Sequence, residues 1–216
     1  MGKKEGVAMK LRTISERIAY FPATTQPLSA DVGLVRGDRF CWVFDVGNSQ
    51  EVVKALQEQE GEKQIILSHF HQDHTANLAQ IPYQQLYCGA YTREKLQKGT
   101  VIQSPFSCED GVKLTLFPLP AVHEKGAVGL EVNEEYAFLG DAVYGARKKG
   151  KVAYNLNFVK DTIEILEKCR ASSFLLSHTA AFVYPKAQVL ARLKAIYALR
   201  TPGEAYLFLN PHTAQF

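Results

Sequence analysis

The chain has 216 residues, of which 46% are hydrophobic and 22% are charged, and its formal net charge is +3 at pH 7. These values are ordinary for a soluble globular protein that is long enough to bury a sizeable core. The net charge is too small to indicate a nucleic-acid partner by itself, and no apolar run approaches the roughly 18 residues of a membrane span.

The cysteines and the N-terminus favour a cytoplasmic protein. The four cysteines form no Cys-x-x-Cys pair, which predicts reduced, mostly buried thiols rather than a disulfide framework. No apolar segment follows the charged N-terminus, so we expect no signal peptide. The first eight residues lack apolar periodicity and are expected to form a flexible tail. No linker or repeat interrupts the rest, which predicts one domain over residues 1–216.

The N-terminal half alternates strands with helices. We predict a strand over Arg17–Phe21, a hairpin of Val32–Arg36 and Phe40–Asp45, a helix over Gln50–Glu60 capped by Ser49, a strand over Gln64–Leu67, a short helix at about Thr75–Gln80, a strand over Leu86–Cys88, a helix over Ala90–Gln97 and a short strand at Val101–Ile102.

The C-terminal half continues this alternation. We predict a strand over Val112–Phe117 ended by the prolines that follow, a hairpin of Gly129–Val132 and Tyr136–Leu139, a helix over Phe158–Arg170, a strand over Ser173–Leu176, a helix from Pro185 to about Leu199 and a short strand over Ala205–Leu209. This order predicts a mixed α/β protein whose sheets are covered by helices.

One loop, Ser68–Thr75, concentrates the metal-ligand chemistry. It follows a predicted buried strand and holds three of the six histidines. His69 and His71 are two residues apart, so in an extended loop they point the same way and can share one ion. Asp73 and His74 come after a turn, where a second ion is their natural use. The alternatives are that Asp73 or Thr75 caps a helix, or that the loop is an ordinary surface loop rich in histidine.

Three more candidate ligands follow predicted strands. His123 comes after the strand that begins at Val112, Asp141 follows the second strand of the later hairpin, and His178 follows Ser173–Leu176. A site at a sheet edge requires ligands at such positions. Taken singly, each histidine could be a capped surface residue and Asp141 could be a turn former.

Together these positions resemble a known pattern. The stretch His69-x-His71-x-Asp73-His74, followed by His123, Gly140-Asp141 and His178, resembles the metallo-β-lactamase superfamily. The likeness includes Val43–Gly47, which is similar to the early strand of that family, and covers the chain from about Arg17 to Leu199. It implies an αββα sandwich of two mixed β-sheets flanked by helices, with metals at one edge of the sheets.

The resemblance also implies a role for each residue. It assigns His69, His71 and His123 to one ion, Asp73, His74 and His178 to a second, and Asp141 to a bridge between both. The ions are expected to be Zn²⁺, with Fe or Mn as alternatives. Two such ions about 3.5–4 Å apart can share a water and lower its pKa. Asp73 is the predicted catalytic residue, and Asp45 is predicted to orient a ligand or a loop by hydrogen bonds.

We therefore expect a metal-dependent hydrolase in which a hydroxide shared by two metals attacks an ester, thioester, lactone or phosphodiester bond. Asp141 stands where the commonest β-lactamase subclass has Cys, and His71 stands where flavodiiron reductases have Glu. Neither of those activities is expected. The alternative is a mononuclear iron enzyme that oxidises sulfur compounds, similar to a persulfide dioxygenase. A non-catalytic metal-binding protein is a third hypothesis, which the complete ligand set disfavours.

Two further features have two interpretations each. The basic segment Arg147–Lys151 could attract an anionic substrate or form a solvated loop. Tyr144 could donate to an oxyanion or cover the second sheet. His212 is predicted to be a surface residue. The expected partner is a small-molecule or anionic substrate; neither a membrane nor a nucleic acid is expected, and the oligomeric state is open.

Overall fold

The computed structural model describes residues 10–214, so the tail expected over residues 1–8 lies outside the described part. The strands are β1 (Arg12–Thr13), β2 (Ile18–Phe21), β3 (Thr24–Thr25), β4 (Leu28–Ser29), β5 (Val32–Arg36), β6 (Phe40–Phe44), β7 (Glu62–Ile66), β8 (Gln85–Cys88), β9 (Thr100–Val101), β10 (Phe106–Glu109), β11 (Lys113–Leu119), β12 (Ala127–Val132), β13 (Tyr136–Gly140), β14 (Ala146–Lys148), β15 (Lys151–Asn155), β16 (Ser173–Leu176), β17 (Val183–Pro185) and β18 (Tyr206–Leu209). The helices are α1 (Gln50–Gln57), α2 (Gln72–Thr75), a 3₁₀ helix (Ala76–Gln80), α3 (Ala90–Leu96), α4 (Leu156–Lys168) and α5 (Lys186–Ala198).

Two mixed sheets form the centre of the molecule. The first has seven strands in the order β1-β2-β5-β6-β7-β8-β9, and the second has six in the order β10-β11-β12-β13-β16-β17. Strands β6, β7 and β8 run parallel to one another, and β13 runs parallel to β16. The carboxyl ends of parallel strands meet at one edge of a sheet, which is where the candidate ligands were predicted.

The apolar core has three layers. Between the two sheets, Phe44 of the first stacks on Phe138 of the second with ring centroids 5.3 Å apart. Outside the first sheet, Leu56 of α1 packs against the strands. Outside the second sheet, Leu166 of α4 and Leu193 of α5 pack in the same way. Helix, sheet, sheet and helix thus form four layers, the predicted αββα sandwich.

The helix α1 shows how local sequence specifies an element. Its buried residues Val52, Val53 and Leu56 lie on one face, as an amphipathic helix requires. The hydroxyl of Ser49 accepts a hydrogen bond from the backbone N–H of Val52 at 3.3 Å, so the predicted cap is confirmed.

Several local predictions differ from the structure. The strand β10 was not predicted, because its residues are largely exposed and carry no apolar alternation. The strand β11 was predicted to end before Pro118 but continues to Leu119. The neighbouring β10 pairs with β11 only as far as Leu116, so the missing N–H of Pro118 faces an open edge and costs no ladder hydrogen bond.

Another difference concerns residues 147–151, which are exposed, as a solvated segment requires, but form a hairpin rather than an irregular loop. They contribute to the antiparallel hairpin of β14 and β15, and β15 pairs with β18 to make a separate three-stranded sheet. Its inward-facing residues Val152 and Tyr154 are buried in the core beside α4 and α5. That burial holds the basic segment on the body of the protein.

Two bulk predictions can also be compared with the structure. The four cysteines, Cys41, Cys88, Cys108 and Cys169, are free thiols, and the first two are buried. Among the helices of residues 10–214, none is both long enough and apolar enough to cross a bilayer.

Candidate metal centre

The histidine-rich loop leaves the first sheet at the end of β7. The backbone of His71 is extended, and α2 begins at Gln72. The helix-cap interpretation of Asp73 and Thr75 is wrong for α2, because Asp73 lies within its first turn and the Thr75 hydroxyl donates to the carbonyl of His71 at 3.0 Å. The turn of helix places Asp73 and His74 in positions different from those of His69 and His71.

The second sheet delivers the other three candidates. His123 follows β11, Asp141 follows β13 and His178 lies two residues beyond β16. Strands β11 and β13 are both antiparallel to β12, and β16 is parallel to β13, so β11, β13 and β16 end at the same edge. The backbone N–H of Val128 donates to the carbonyl of Ser68 at 2.9 Å, which joins this edge to the loop from the first sheet.

The structure brings all seven predicted residues together at this edge. Ligand atoms lie within 4.8 Å of one another in three groups, which are His69 with His71 and His123, Asp73 with His74 and His178, and His69 with His74 and Asp141. The first two groups are the two sets implied by the resemblance. The third connects them through Asp141.

In the first group, ring nitrogens converge on one point. The Nδ1 atom of His71 lies 2.9 Å from Nε2 of His69 and 3.2 Å from Nε2 of His123. The three lone pairs can therefore face a common centre when the rings are neutral. Three histidines at one point suit Zn²⁺, and also Fe or Mn.

In the second group, a carboxylate lies between two histidines. Oδ2 of Asp73 is 3.0 Å from Nε2 of His178 and 3.7 Å from Nε2 of His74. Asp141 lies centrally, with Oδ1 at 3.5 Å from Nε2 of His74 and Oδ2 at 3.7 Å from Nε2 of His123. One carboxylate can thus contact both groups.

Unpaired buried atoms test whether these residues fit a cation. Nε2 of His74 and Oδ1 of Asp141 are both buried, and neither has a hydrogen-bond partner among the described residues. Leaving such a group unpaired costs about 1–3 kcal/mol. A divalent cation would satisfy both atoms, so the donor set fits a metal.

Hydrogen bonding at Nδ1 orients the ring of His74, whose Nε2 is the candidate ligand atom. Its Nδ1 lies 2.7 Å from Oδ2 of Asp45, which is fully buried. The same carboxylate accepts from the backbone N–H and the hydroxyl of Ser68, both at 2.8 Å. Asp45 therefore makes hydrogen bonds to a candidate ligand and to its loop, while its role in orienting a metal ligand stays a prediction. The Ser68 hydroxyl also lies 3.0 Å from Nδ1 of His69.

An equivalent support for His178 was missed in the sequence. Asp31 is buried at the start of β5, and its Oδ2 accepts the backbone N–H of His178 at 2.9 Å and the hydroxyl of Ser177 at 3.2 Å. His178 has a φ of +60°, which is strained for a residue with a Cβ. The one signal in the sequence was a lone acidic residue directly before a buried apolar strand.

Glu124 was also missed. Its Oε2 lies 3.9 Å from Nε2 of His71, so an acidic side chain borders the first group. It directly follows His123 in the sequence, and that adjacency was the available signal.

The remaining predicted residues lie outside the three groups. The hydroxyl of Tyr144 donates to the carbonyl of Ser177 at 2.8 Å, so it contacts the loop before His178. His212 is exposed, as predicted.

The electrostatics favour ligation by Asp141 and His69. Burial raises the pKa of Asp141, but His74, His69 and His178 outweigh it and hold this pKa well below its usual range. Burial and the neighbouring His74 lower the pKa of His69. At neutral pH the first group therefore offers a neutral imidazole and Asp141 offers a carboxylate, the forms that bind metals.

The second group responds differently to pH. Burial lowers the pKa of His178, but the hydrogen bond to Asp73 and the charge of Asp141 raise it overall. Burial also opposes ionisation of Asp73, while His178 and His74 bring its pKa below the usual value. A cation that binds here must displace a proton, so its affinity depends on pH.

Comparison with known proteins agrees with the motif. A family model described as the metallo-beta-lactamase superfamily matches residues 25–100. This segment contains the whole histidine-rich loop. A comparison with curated protein sequences finds no significant match.

Several solved structures share the fold. A metallo-beta-lactamase from Pontibacter korlensis superposes with a TM-score of 0.66 at 14% identity, covering 88% of this chain and 99% of that one. An archaeal metallo-beta-lactamase superfamily protein from Sulfolobus tokodaii gives 0.62 at 16% identity, covering 86% and 88%. A flavo di-iron protein variant from Thermotoga maritima gives 0.65 at 15% identity, covering 87% and 62%. The predicted resemblance is confirmed: the chain has the metallo-β-lactamase fold.

Proposed function

We propose that this protein is a dinuclear metal-dependent hydrolase that cleaves an ester-type bond, namely an ester, a thioester, a lactone or a phosphodiester. The observation that carries the proposal is the pair of three-residue groups with Asp141 between them. A single-ion site needs only one such group. The second group, with Asp73 and His74 on one turn of helix, favours two ions.

The metal supplies most of the chemistry in this proposal. When bound, two divalent cations polarise the substrate oxygen and acidify a water between them. The protein residues hold that arrangement. Asp45 fixes the ring of His74 through its 2.7 Å hydrogen bond, and Asp31 fixes the backbone of His178. Such outer partners set ring orientation and ligand basicity.

Asp73 is the proposed catalytic residue. Its pKa is lowered, and it is partly exposed at the edge of the group. Its carboxylate is therefore ionised at neutral pH and can accept a hydrogen bond from the attacking water, which orients that water toward the substrate.

The substrate is expected to be a small molecule. The names of the similar structures include β-lactamases and a flavo di-iron protein, but identities of 14–16% support only the fold. In this fold, function depends on the loops over a common site.

Elemental analysis of the metal-loaded protein is the first test. We expect two equivalents of a divalent metal per chain, with zinc as the first choice. Hydrolysis would then be measured on aryl ester, thioester, lactone and phosphodiester substrates, with and without a chelator. Two bound metals without chelator-sensitive turnover of any substrate would refute the hydrolase proposal.

Elemental analysis also distinguishes the alternative function from hydrolysis. A mononuclear iron enzyme that oxidises sulfur compounds would use the first group and Asp141. One iron per chain, together with oxygen consumption on a glutathione persulfide, would favour that function over hydrolysis.

A cytoplasmic location and a single domain are also part of the proposal. The four free thiols support a reducing compartment. Both sheets contribute ligands to one site and share one apolar layer, which supports a single folding unit.

A further inference from the structure

A cavity of about 230 Å³ opens beside His123. One wall is the corner that follows β11, from Ala121 to Lys125. The opposite wall is the three-stranded sheet of β14, β15 and β18, together with the first turn of α4. A candidate metal ligand and the basic hairpin therefore share one cavity.

The register of the small sheet explains what this wall presents. Ala146 pairs with Ala153, and Asn155 pairs with Tyr206. Side chains on one face of a sheet alternate along each strand, so these residues and Lys148 share a face. The opposite face, with Val152 and Tyr154, is buried in the core.

The size of the residues gives the cavity its shape. The two alanines leave space at the middle of the wall, and Tyr206 borders that space with a ring that is 44% exposed. Phe158 of α4 adds a second ring. Most of the lining residues are apolar, and two lysines, Lys125 and Lys148, are also among them.

Each wall of the cavity contributes one lysine. Lys125 comes from the corner and Lys148 from the hairpin. The ammonium of Lys148 lies 5.4 Å from the ring centroid of Tyr206, which also lines the cavity. The ammonium of Lys125 lies 4.2 Å from the ring centroid of Tyr91, which borders the corner outside the lining residues, so it reaches an anion in the cavity by a change of rotamer.

Two other groups contribute to the field. Asn155 caps the 13-residue helix α4 and lines the cavity, so the positive end of the helix dipole adds to the charge of the lysines. Glu124 is the one acidic side chain among the lining residues, and its carboxylate lies 3.9 Å from His71. It is thus directed toward the metal centre.

We propose that this cavity is the subsite that selects the substrate, and that it binds an anionic group, a carboxylate or a phosphate, joined by a short apolar arm to the bond that is cleaved. The proposal rests on the proposed function, in which His123 holds a metal. The cavity is smaller than the roughly 300–1,000 Å³ of pockets that enclose a whole ligand. It therefore accommodates one part of a substrate whose reactive part lies over the metals.

Binding of three matched probes tests the subsite without requiring turnover. The probes are 4-phenylbutyrate, 4-phenylbutyl phosphate and the neutral 4-phenylbutanol, titrated calorimetrically into the metal-loaded protein at low salt. We expect one or both anions to bind at least about fivefold more tightly than the alcohol, as charge pairing at a partly exposed site allows. The ratio of the two anions identifies the preferred group.

Charge-removing variants locate the binding. Lys125→Gln and Lys148→Gln should each weaken anion binding about threefold, and the double variant about tenfold, with the alcohol unchanged. Lys149→Gln is the matched control, because it removes the same charge from the same hairpin but does not line the cavity. Metal content, measured in every variant, should stay the same.

The outcomes separate the two proposals. Equal loss of anion binding in Lys149→Gln, or equal affinity for the alcohol and the anions, would overturn the subsite. Lysine-dependent anion binding without hydrolysis of any ester-type substrate would support the subsite and count against the proposed reaction. Hydrolysis of anionic esters with the same KM in the double variant as in the unmodified protein would support the proposed reaction and count against the subsite.

Discussion

Replacing Asp31 with asparagine is expected to weaken the second metal-binding group without touching it directly. Asp31 lies outside the seven candidate ligands, yet its two carboxylate oxygens accept backbone hydrogen bonds from Ala23 and His178, both at 2.9 Å. Asparagine has one acceptor oxygen. Its amide nitrogen must therefore face one of these two N–H donors.

The magnitude follows from these contacts. One buried donor left unpaired costs about 1–3 kcal/mol, so the free energy of unfolding should fall by that amount. His178 has a positive φ, which the surrounding hydrogen bonds must maintain. Loss of such an outer partner typically lowers metal affinity 10–100-fold, and we expect this loss for the second equivalent of metal while the first is retained.

The assay is competition with a chromogenic chelator, combined with urea denaturation of the metal-free protein. The control is Asp161→Asn, which makes the same change at an exposed position of α4. If Asp31→Asn binds two equivalents of metal with unchanged affinities, Asp31 does not position His178 for metal binding. If both equivalents are lost together, the variant disturbs the whole edge and the selective mechanism is wrong.

Three further predictions concern separate parts of the chain. Asp73→Ala should reduce the metal content from two equivalents to one and lower kcat by roughly 10²–10⁴, since it removes both a ligand and a proton acceptor; elemental analysis and hydrolysis assays check this. Burial opposes ionisation of Asp110, but hydrogen bonds from Trp42 and two backbone N–H groups depress its pKa. A carboxyl group whose pKa is depressed by folding stabilises the fold at pH values above its unfolded pKa of about 3.9. Asp110→Asn should therefore lower the free energy of unfolding, measured by urea denaturation, by about 2 kcal/mol at pH 7 and by progressively less below about pH 4. A Cβ added at Gly89 would lie 1.7 Å from the carbonyl oxygen of Gly126, so Gly89→Ala should lower the thermal midpoint and weaken the first equivalent of metal by shifting the corner that carries His123.

Each of these predictions has a contrary result. Two retained metals in Asp73→Ala would place this residue outside the second group. A cost for Asp110→Asn that does not change between pH 7 and pH 3 would show that its charge is irrelevant to stability. Unchanged metal affinity in Gly89→Ala would mean that the corner adapts to the added methyl group.

The strands and helices that form the layers could largely be predicted, because each buries apolar residues in a regular pattern. Strand β7 and helix α1 are examples, since both carry a buried face and a clear boundary. Prediction failed where the pattern was absent or where a neighbour decided the outcome. Strand β10 carries no apolar alternation, and the extension of β11 through Pro118 depends on where β10 ends.

For the candidate site, too, some features could be predicted from the sequence and others could not. The spacing of His69, His71 and His74 was local, so a metal site could be predicted from it. The convergence of His123, Asp141 and His178 on that loop was predicted from strand ends and from the resemblance, and the structure brings the ligand atoms together. Whether they bind two metals stays a prediction.

The sequence by itself determined which residues carry metal-ligand chemistry and that they lie at strand ends, because both follow from local residue type and spacing. The tertiary structure alone decided which groups support and surround them. Asp31 meets His178 across 147 positions of sequence, and Lys148 and Tyr206 line one cavity because β14 and β18 both pair with β15. Such contacts depend on strand register and on the packing of one sheet against another, and neither is encoded in a short stretch of residues.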